Sequence, residues 1–514
     1  MFKPQTLPRL FLPYINDRKD SYGRDVSLAL HDGSSPDLSR KRLVVEFSSP
    51  NIASEFQAKH LRSTILGAFI GNLYETMGWD VTRINYLGDW GKPIGLLGAG
   101  WERFGSEEQF QTDPVGHLFD VYHKMNDLFM PEQVASKKAR DEGRDPAEIE
   151  AQGLFAERNA FFKRMEDGDE NAVALWKRVR DVSIANYTQL YARLNVSFDE
   201  YSGESQVSRE IMTEVEEILK SKGLCEESGR SWIIDLRKHT GRAGVGIIRD
   251  RTGGSTYLLR DLAAVLDRAR KYSFDKMIYV VASDHSTHFS RLFKILELMD
   301  ISDLASKLQH VSFSEVSQMS DKLGHGHNML GEILDQCQSA MQDSLKATPE
   351  KAALLGDTEG AEASIGIAAL LAQELSARRV NDHAFDIGHM TSFEPGTGPD
   401  LQYWYARLCD ILRTNPGHTD LSDEDFASLE KEDKVNLLRL LIQYPDITHS
   451  AYKSLEPATI MAYLVNVTGQ LRHCLENSQD GTSPAPAEAM LYEATRIVLG
   501  SGMKLLGVKP VAKI

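Results

Sequence analysis

His325 and His327 stand one residue apart in the run MSDKLGHGHN, a spacing at which two imidazoles can chelate a divalent ion. Structural and catalytic metal sites ask for three or four such donors. The Gly-rich, polar surroundings read as a solvent-facing loop, and no metal is expected. The four cysteines, Cys225, Cys337, Cys409 and Cys474, are scattered without a C-x-x-C pair. That pattern indicates neither a disulfide framework nor a zinc site and fits a reducing cytosol. The other chemistry in view is anion binding. An apolar, β-branched run of strand length, RLVVEF at 42–47, leads through SSPN into a helical pattern over 60–77. Strand, loop and helix in that order open a nucleotide-binding α/β unit, whose helix N-terminus can meet phosphates.

The elements that must hold such a site are spread over 514 residues, too many for one hydrophobic core. Charged residues at 26% and hydrophobic ones at 42% describe an ordinary globular chain. No apolar run is long enough to span a bilayer, and the N-terminus, broken by Pro4, Pro8 and Pro13, does not read as a signal peptide. A cytoplasmic protein with no membrane partner is expected. The net charge of −16 argues against indiscriminate nucleic-acid binding and against a DNA partner, yet leaves room for a local basic face to which Arg378, Arg379 or Lys504 could belong. A second strand-like run lies at 277–282, and 157–194 is the clearest of the charged helical insertions. From 365 onward the pattern is helical almost throughout, with polar linkers at 346–363 and 415–425. The pattern predicts a short arm over 1–40, a split α/β region over 41–320 with insertions at about 95–182 and 208–254, and a helical region over 321–514.

Several blocks in register carry a resemblance. The stretch VEFSSPNIASEFQAKHLRST at 45–64 resembles the part of eukaryotic arginyl-tRNA synthetases that holds the class I "HIGH" signature. INYLGDWGK at 84–92, YSGESQV at 201–207, TYLLRD at 256–261, DKMIYVVAS at 275–283, GTGPDLQY at 396–403 and MKLLGVKPV at 503–511 follow in the family's order. The resemblance implies a Rossmann-type class I catalytic core followed by an all-α, anticodon-binding-like domain that takes tRNA. It also implies that the family's elbow-binding domain is missing ahead of the arm. In the family, substrate arginine is held by residues that match Ser49, Asn51, Glu204, Tyr257 and Asp261 here. A guanidinium's planar fork of N–H donors is best met by carboxylates, the part expected of Glu204 and Asp261, with Tyr257 beside them and Asn51 at the α-amino end.

The same resemblance exposes departures around the ATP site. The signature reads Gln57, Ala58, Lys59, His60, with Gln for the first His and Lys for the Gly. The family's glutamine after the MIYVVA-type strand aligns with His285, and the second signature loop runs from Met319 and Ser320 with its basic pair reduced to Lys322. Pro93 and Ile94 replace the usual pair after GDWGK. Losing a donor aimed at transition-state charge typically costs about 10²- to 10³-fold in rate. These changes predict a chain that uses Arg-tRNA instead of making it, in the manner of the fungal arginine-containing cyclodipeptide synthases. Such an enzyme would condense Arg-tRNA with a second aminoacyl-tRNA into a diketopiperazine natural product, without ATP or another cofactor. His285 would then be the general base, and His60, with Lys59 or Gln57, would face the oxyanion. Two alternatives stay open: a divergent ATP-dependent arginyl-tRNA synthetase using ATP and magnesium, and a non-catalytic paralogue that binds tRNA or arginine.

Overall fold

The computed structural model describes residues 6–31, 39–52, 56, 58–240, 244–251, 253–314, 330–355, 360–415, 421, 422, 424–476 and 483–511. The strands among them are β1 (Arg42–Glu46), β2 (Asp80–Leu87), β3 (Glu200–Gly203), β4 (Glu226–Ser228), β5 (Ser231–Asp235), β6 (Val245–Arg249), β7 (Lys276–Val280) and β8 (Leu308–Val311). Five of them form one sheet in the order β3-β2-β1-β7-β8, parallel throughout. The centre is β1, whose Val45 pairs with Arg83 on one side and Ile278 on the other. Its residues Leu43 to Glu46 are buried on both faces, as the apolar run Leu43 to Val45 of a parallel strand must be. Strand order reverses beside β1, and a crevice opens at the carboxyl ends of the strands at such a switch point.

The first insertion, between β2 and β3, is helical. The expected single run at 157–194 is two helices, Gly153–Glu166 and Glu170–Arg193. They part at Gly168, which takes φ +80°, and at Asp169, whose side chain accepts from the Ala172 N–H as an N-cap. The second insertion pairs the amphipathic helix Arg209–Ser221 with the small antiparallel sheet β4-β5-β6. Apolar patterning along the chain does not mark β2, β3, β8 or that small sheet.

Beyond β8 the described chain is helical. Part of the expected linker at 346–363 is itself a helix, Pro349–Leu355. The last helix, Pro486–Leu505, buries residues on every side and shares one core with the sheet and the signature helix Ala58–Thr76. The segment expected as an arm forms a helix, Thr6–Arg18, that buries Leu12 and Ile15. It is tied down by Asn16 Nδ2 donating to Met490 O (3.2 Å), and Tyr22 OH beyond it donates to Leu441 O (2.9 Å). Buried Asp400 accepts from the Trp404 indole N–H (3.0 Å) and from Arg472 (3.2 Å), while the Tyr405 hydroxyl accepts from Arg496 (3.2 Å).

Close approach of the signature helix to β1 rests on one glycine. A Cβ on Gly67 would lie 2.1 Å from Phe47 Cγ, so the helix cannot seat against the strand end with any larger residue there. Gly67→Ala is expected to lower stability by about 1–3 kcal/mol through overpacking, despite alanine's better helix propensity. Urea denaturation, followed by the midpoint at constant slope, measures it.

Candidate functional site

The site is built where the chain leaves the strands. After β1 the backbone turns sharply, with Ser48 and Ser49 at φ +71° and +49°. The turn is held by side chains of three elements. Ser48 N donates to Ser63 Oγ (2.8 Å), Ser48 Oγ lies 2.6 Å from Tyr191 OH, and Ser49 N donates to Asn85 Oδ1 (3.1 Å). Ser49 Oγ is buried without a hydrogen-bond partner among the described residues. Two residues on, Asn51 forms an isolated parallel bridge to Gly88, so the loop after β1 is zipped to the end of β2.

Glu204 stands at the end of β3, and Asp89 sets its place. That buried carboxylate accepts from Ser205 N (2.9 Å) and Ser205 Oγ (2.7 Å), and pairs with Arg180 (2.7 Å). Gly203 is required for this approach, since a Cβ there would fall 2.3 Å from an Asp89 oxygen. From the other side Arg260 Nη1 donates to Glu204 O (2.8 Å). Tyr257 and Asp261 lie one turn apart on the helix Tyr257–Tyr272, so they share a face. Asp261 Oδ2 is 2.6 Å from His288 Nε2, and Tyr257 is 60% exposed at the wall of a cleft of about 940 Å³ that Glu204 and Arg260 also line.

Burial dominates the electrostatics. Desolvation pushes the Glu204 carboxyl up to about 8, with Asp261 adding to the rise and Arg260 opposing it. Beneath it, desolvation pushes Glu46 up to about 7, although Arg268 pairs with it at 2.5 Å. Tyr257 is also raised, by desolvation first and then by Glu204 and Asp261. Carboxylates crowded out of water in this way form a receptor for a cation with several donors.

The other expected residues are placed differently. Lys59 and His60 are half-buried in the first turn of the signature helix, and burial, then Lys59, lowers the His60 imidazole to about 3, so it is neutral at physiological pH. His285 is half exposed beyond β7, with the Asp284 carboxylate at 3.7 Å. Gln57, Met319, Ser320, Lys322, His325 and His327 lie outside the described residues. Among the described residues no group of three His, Cys, Asp or Glu side chains could hold a metal ion.

Residues 27–387 match the family described as tRNA synthetases class I (R), catalytic domain, and residues 401–514 match the DALR anticodon binding domain. The chain belongs to the class I arginyl-tRNA synthetase family. It is similar to the cytoplasmic arginine–tRNA ligase of Saccharomyces cerevisiae, with 42% identity over 100% of this chain and 81% of that one. It is also similar to the mitochondrial arginine–tRNA ligase of the same yeast, with 40% identity over 92% of this chain and 72% of that one. Its fold matches the crystal structure of arginyl-tRNA synthetase from Plasmodium falciparum at a TM-score of 0.73 and 23% identity, over 98% of this chain and 83% of that one.

Membership over the whole length corrects the expectation of a cyclodipeptide synthase. Relatives at this identity are arginine–tRNA ligases, so the aminoacyltransferase activity, the diketopiperazine product and the second aminoacyl-tRNA partner are set aside. The physical reason is visible at Lys59. Lysine in the first turn of a helix adds positive charge where phosphates are met, so this change does not by itself close an ATP site. Spacing along the chain did not single out Glu46, Asp89, Arg268 or His288 as parts of the site. Signals for three of them were present, since Glu46 belongs to VEFSSPN, Asp89 to GDWGK, and His288 follows His285 by about one helical turn.

A carboxyl raised to about 8 is largely protonated in the empty protein at neutral pH, and pairing with a guanidinium requires it to ionise. Binding of an arginine side chain therefore expels a proton, and affinity should rise with pH until about 8, weakening up to about tenfold per unit below that. Titration calorimetry at neutral pH in buffers of different ionisation enthalpy should show net proton release, and Glu204→Gln should abolish it.

Proposed function

We propose that this chain is an ATP-dependent ligase that joins arginine to tRNA. The observation that carries the proposal is likeness to the yeast cytoplasmic arginine–tRNA ligase over the whole of this chain, whose strand ends hold Glu204 beside Asp261. In this reading the guanidinium enters between those carboxylates with Tyr257 at its rim, where charge-assisted, forked hydrogen bonds distinguish arginine from lysine. Ser49 and Asn51 orient the α-amino end. The triphosphate of ATP meets the N-terminus of the signature helix and the ammonium of Lys59, and magnesium, where present, comes bound to the phosphates.

The arginine carboxylate then attacks the α-phosphorus and pyrophosphate leaves. A ribose hydroxyl of the tRNA end takes the arginyl group and AMP leaves. This sequence asks for no base at His285, and neutral His60 is suited to donate a hydrogen bond to a phosphate oxygen without adding charge. The DALR region, 401–514, supplies the surface for tRNA, and salt should weaken that binding steeply because phosphate contacts dominate it. We place the enzyme in the cytoplasm with the yeast cytoplasmic ligase, which matches over the full chain.

Given arginine, ATP and uncharged tRNA, the purified protein should form Arg-tRNA and support arginine-dependent pyrophosphate exchange. Absence of both, with tRNA of the parent organism present, would overturn the proposal. Glu204→Ala and Asp261→Ala should each lose transition-state stabilisation on the order of 2–5 kcal/mol, read from kcat/KM for arginine, with folding largely retained.

A further inference from the structure

A buried ion cluster ties the signature helix to the helical region. Arg62, near the start of the helix Ala58–Thr76, is only 1% exposed. Its Nη1 donates to Glu374 Oε2 (3.3 Å) and lies 2.9 Å from His383 Nδ1 and 3.3 Å from His383 Nε2, and its Nη2 donates to Arg379 O (3.2 Å). Glu374, also 1% exposed, lies on the helix Ala361–Ser376, and its Oε1 is 3.0 Å from His383 Nε2. A guanidinium only donates and a carboxylate only accepts, so the imidazole between them can accept from Arg62 and donate at Nε2 to Glu374. His383 is wedged between cation and anion.

The same short segment reaches two further places. Arg379 Nη1 donates to Ser312 O (2.5 Å), Ser314 N donates back to Arg379 O (2.9 Å), and Ser314 Oγ donates to Val380 O (2.5 Å). Ser312 and Ser314 follow directly on β8, and Arg379 N donates to Glu456 Oε1 (3.0 Å) at the head of the helix Pro457–Glu476. Residues 379–383 therefore touch the signature helix, the end of the sheet and the helical bundle at once. The carboxylates proposed for arginine stand on other elements, after β3 and on Tyr257–Tyr272. A buried arginine with fixed partners on two sides has few other places to go, so the segment sets where the signature helix lies.

We propose that His383, through Arg62 and Glu374, is a positioning residue that registers the signature helix for ATP, and that it acts on ATP use far more than on arginine binding, whose carboxylates stand on other elements. This inference rests on the ligase reading above. The test is pyrophosphate exchange with tRNA present, measuring KM for ATP and for arginine separately in the full chain. His383→Leu, which can make neither hydrogen bond, should lower kcat/KM for ATP at least about tenfold while leaving arginine affinity by calorimetry within about twofold. His383→Gln can accept from Arg62 through Oε1 and donate to Glu374 through Nε2, and should restore ATP use to within about threefold of wild type. If His383→Leu does not fold, Glu374→Gln should show the same split between the two substrates. Equal losses for ATP and arginine, no loss for either, or failure of His383→Gln to restore would overturn the positioning role. A wild-type protein inactive in exchange overturns the ligase reading instead, which keeps the two failures apart.

Discussion

Negative charge kept out of water is the constraint on which this molecule's site depends. Glu46, Asp89 and Glu204 gather at the carboxyl ends of neighbouring strands with Asp261 beside them on the helix Tyr257–Tyr272, and burial pushes the carboxyls of Glu46 and Glu204 up. The chain answers three of the four with side chains of its own. Arg268 takes Glu46, Arg180 takes Asp89, and His288 meets Asp261. Glu204 is held by its backbone, with Arg260 on its carbonyl oxygen, and its carboxyl is left raised. An empty site of this kind keeps a proton until a stronger cation replaces it, and a guanidinium is such a cation at any physiological pH.

The sheet makes that concentration possible. Parallel strands bring their carboxyl ends to one edge, and the reversal of order beside β1 lets loops from both sides face each other. The two insertions then wall the cleft. Trp90 and Phe162 line it from the first and Met212 and Arg249 from the second, with Tyr257 of the following helix beside them. The helical region is not a separate bead, because its last helix and the N-terminal helix share the core that also backs the signature helix.

The departures from the family's signature show how a substitution's effect depends on what it adds as well as on what it removes. A lost histidine and a lost glycine, counted alone, suggest a closed ATP site. In place, Lys59 contributes a cation to a helix N-terminus, and His60 remains as a neutral donor. At Asp400, Trp404 and Tyr405 the polar groups satisfy one another or an arginine nearby, which keeps the helix packed.

By itself the sequence determined the family, the strand that opens the α/β unit and the signature helix, because each rests on local pattern or on motifs in register. Alternation of apolar and polar residues was not needed to find that strand, since three successive apolar residues at 43–45 are themselves the mark of a strand buried on both faces. Glu204 and Asp261 were also named from motifs, but that they lie close together, with Glu204 raised by burial, was not legible there. Short strands such as β3 and β8 could not be read, since four residues without periodicity look like any loop until partners define them. Tertiary structure alone decided which cation serves which carboxylate, that His288 meets Asp261, and that Arg62 is matched by Glu374 and His383, which lie 312 and 321 positions away. Those pairings join residues with no relation of spacing, and only burial in a common low-dielectric place gives them their strength.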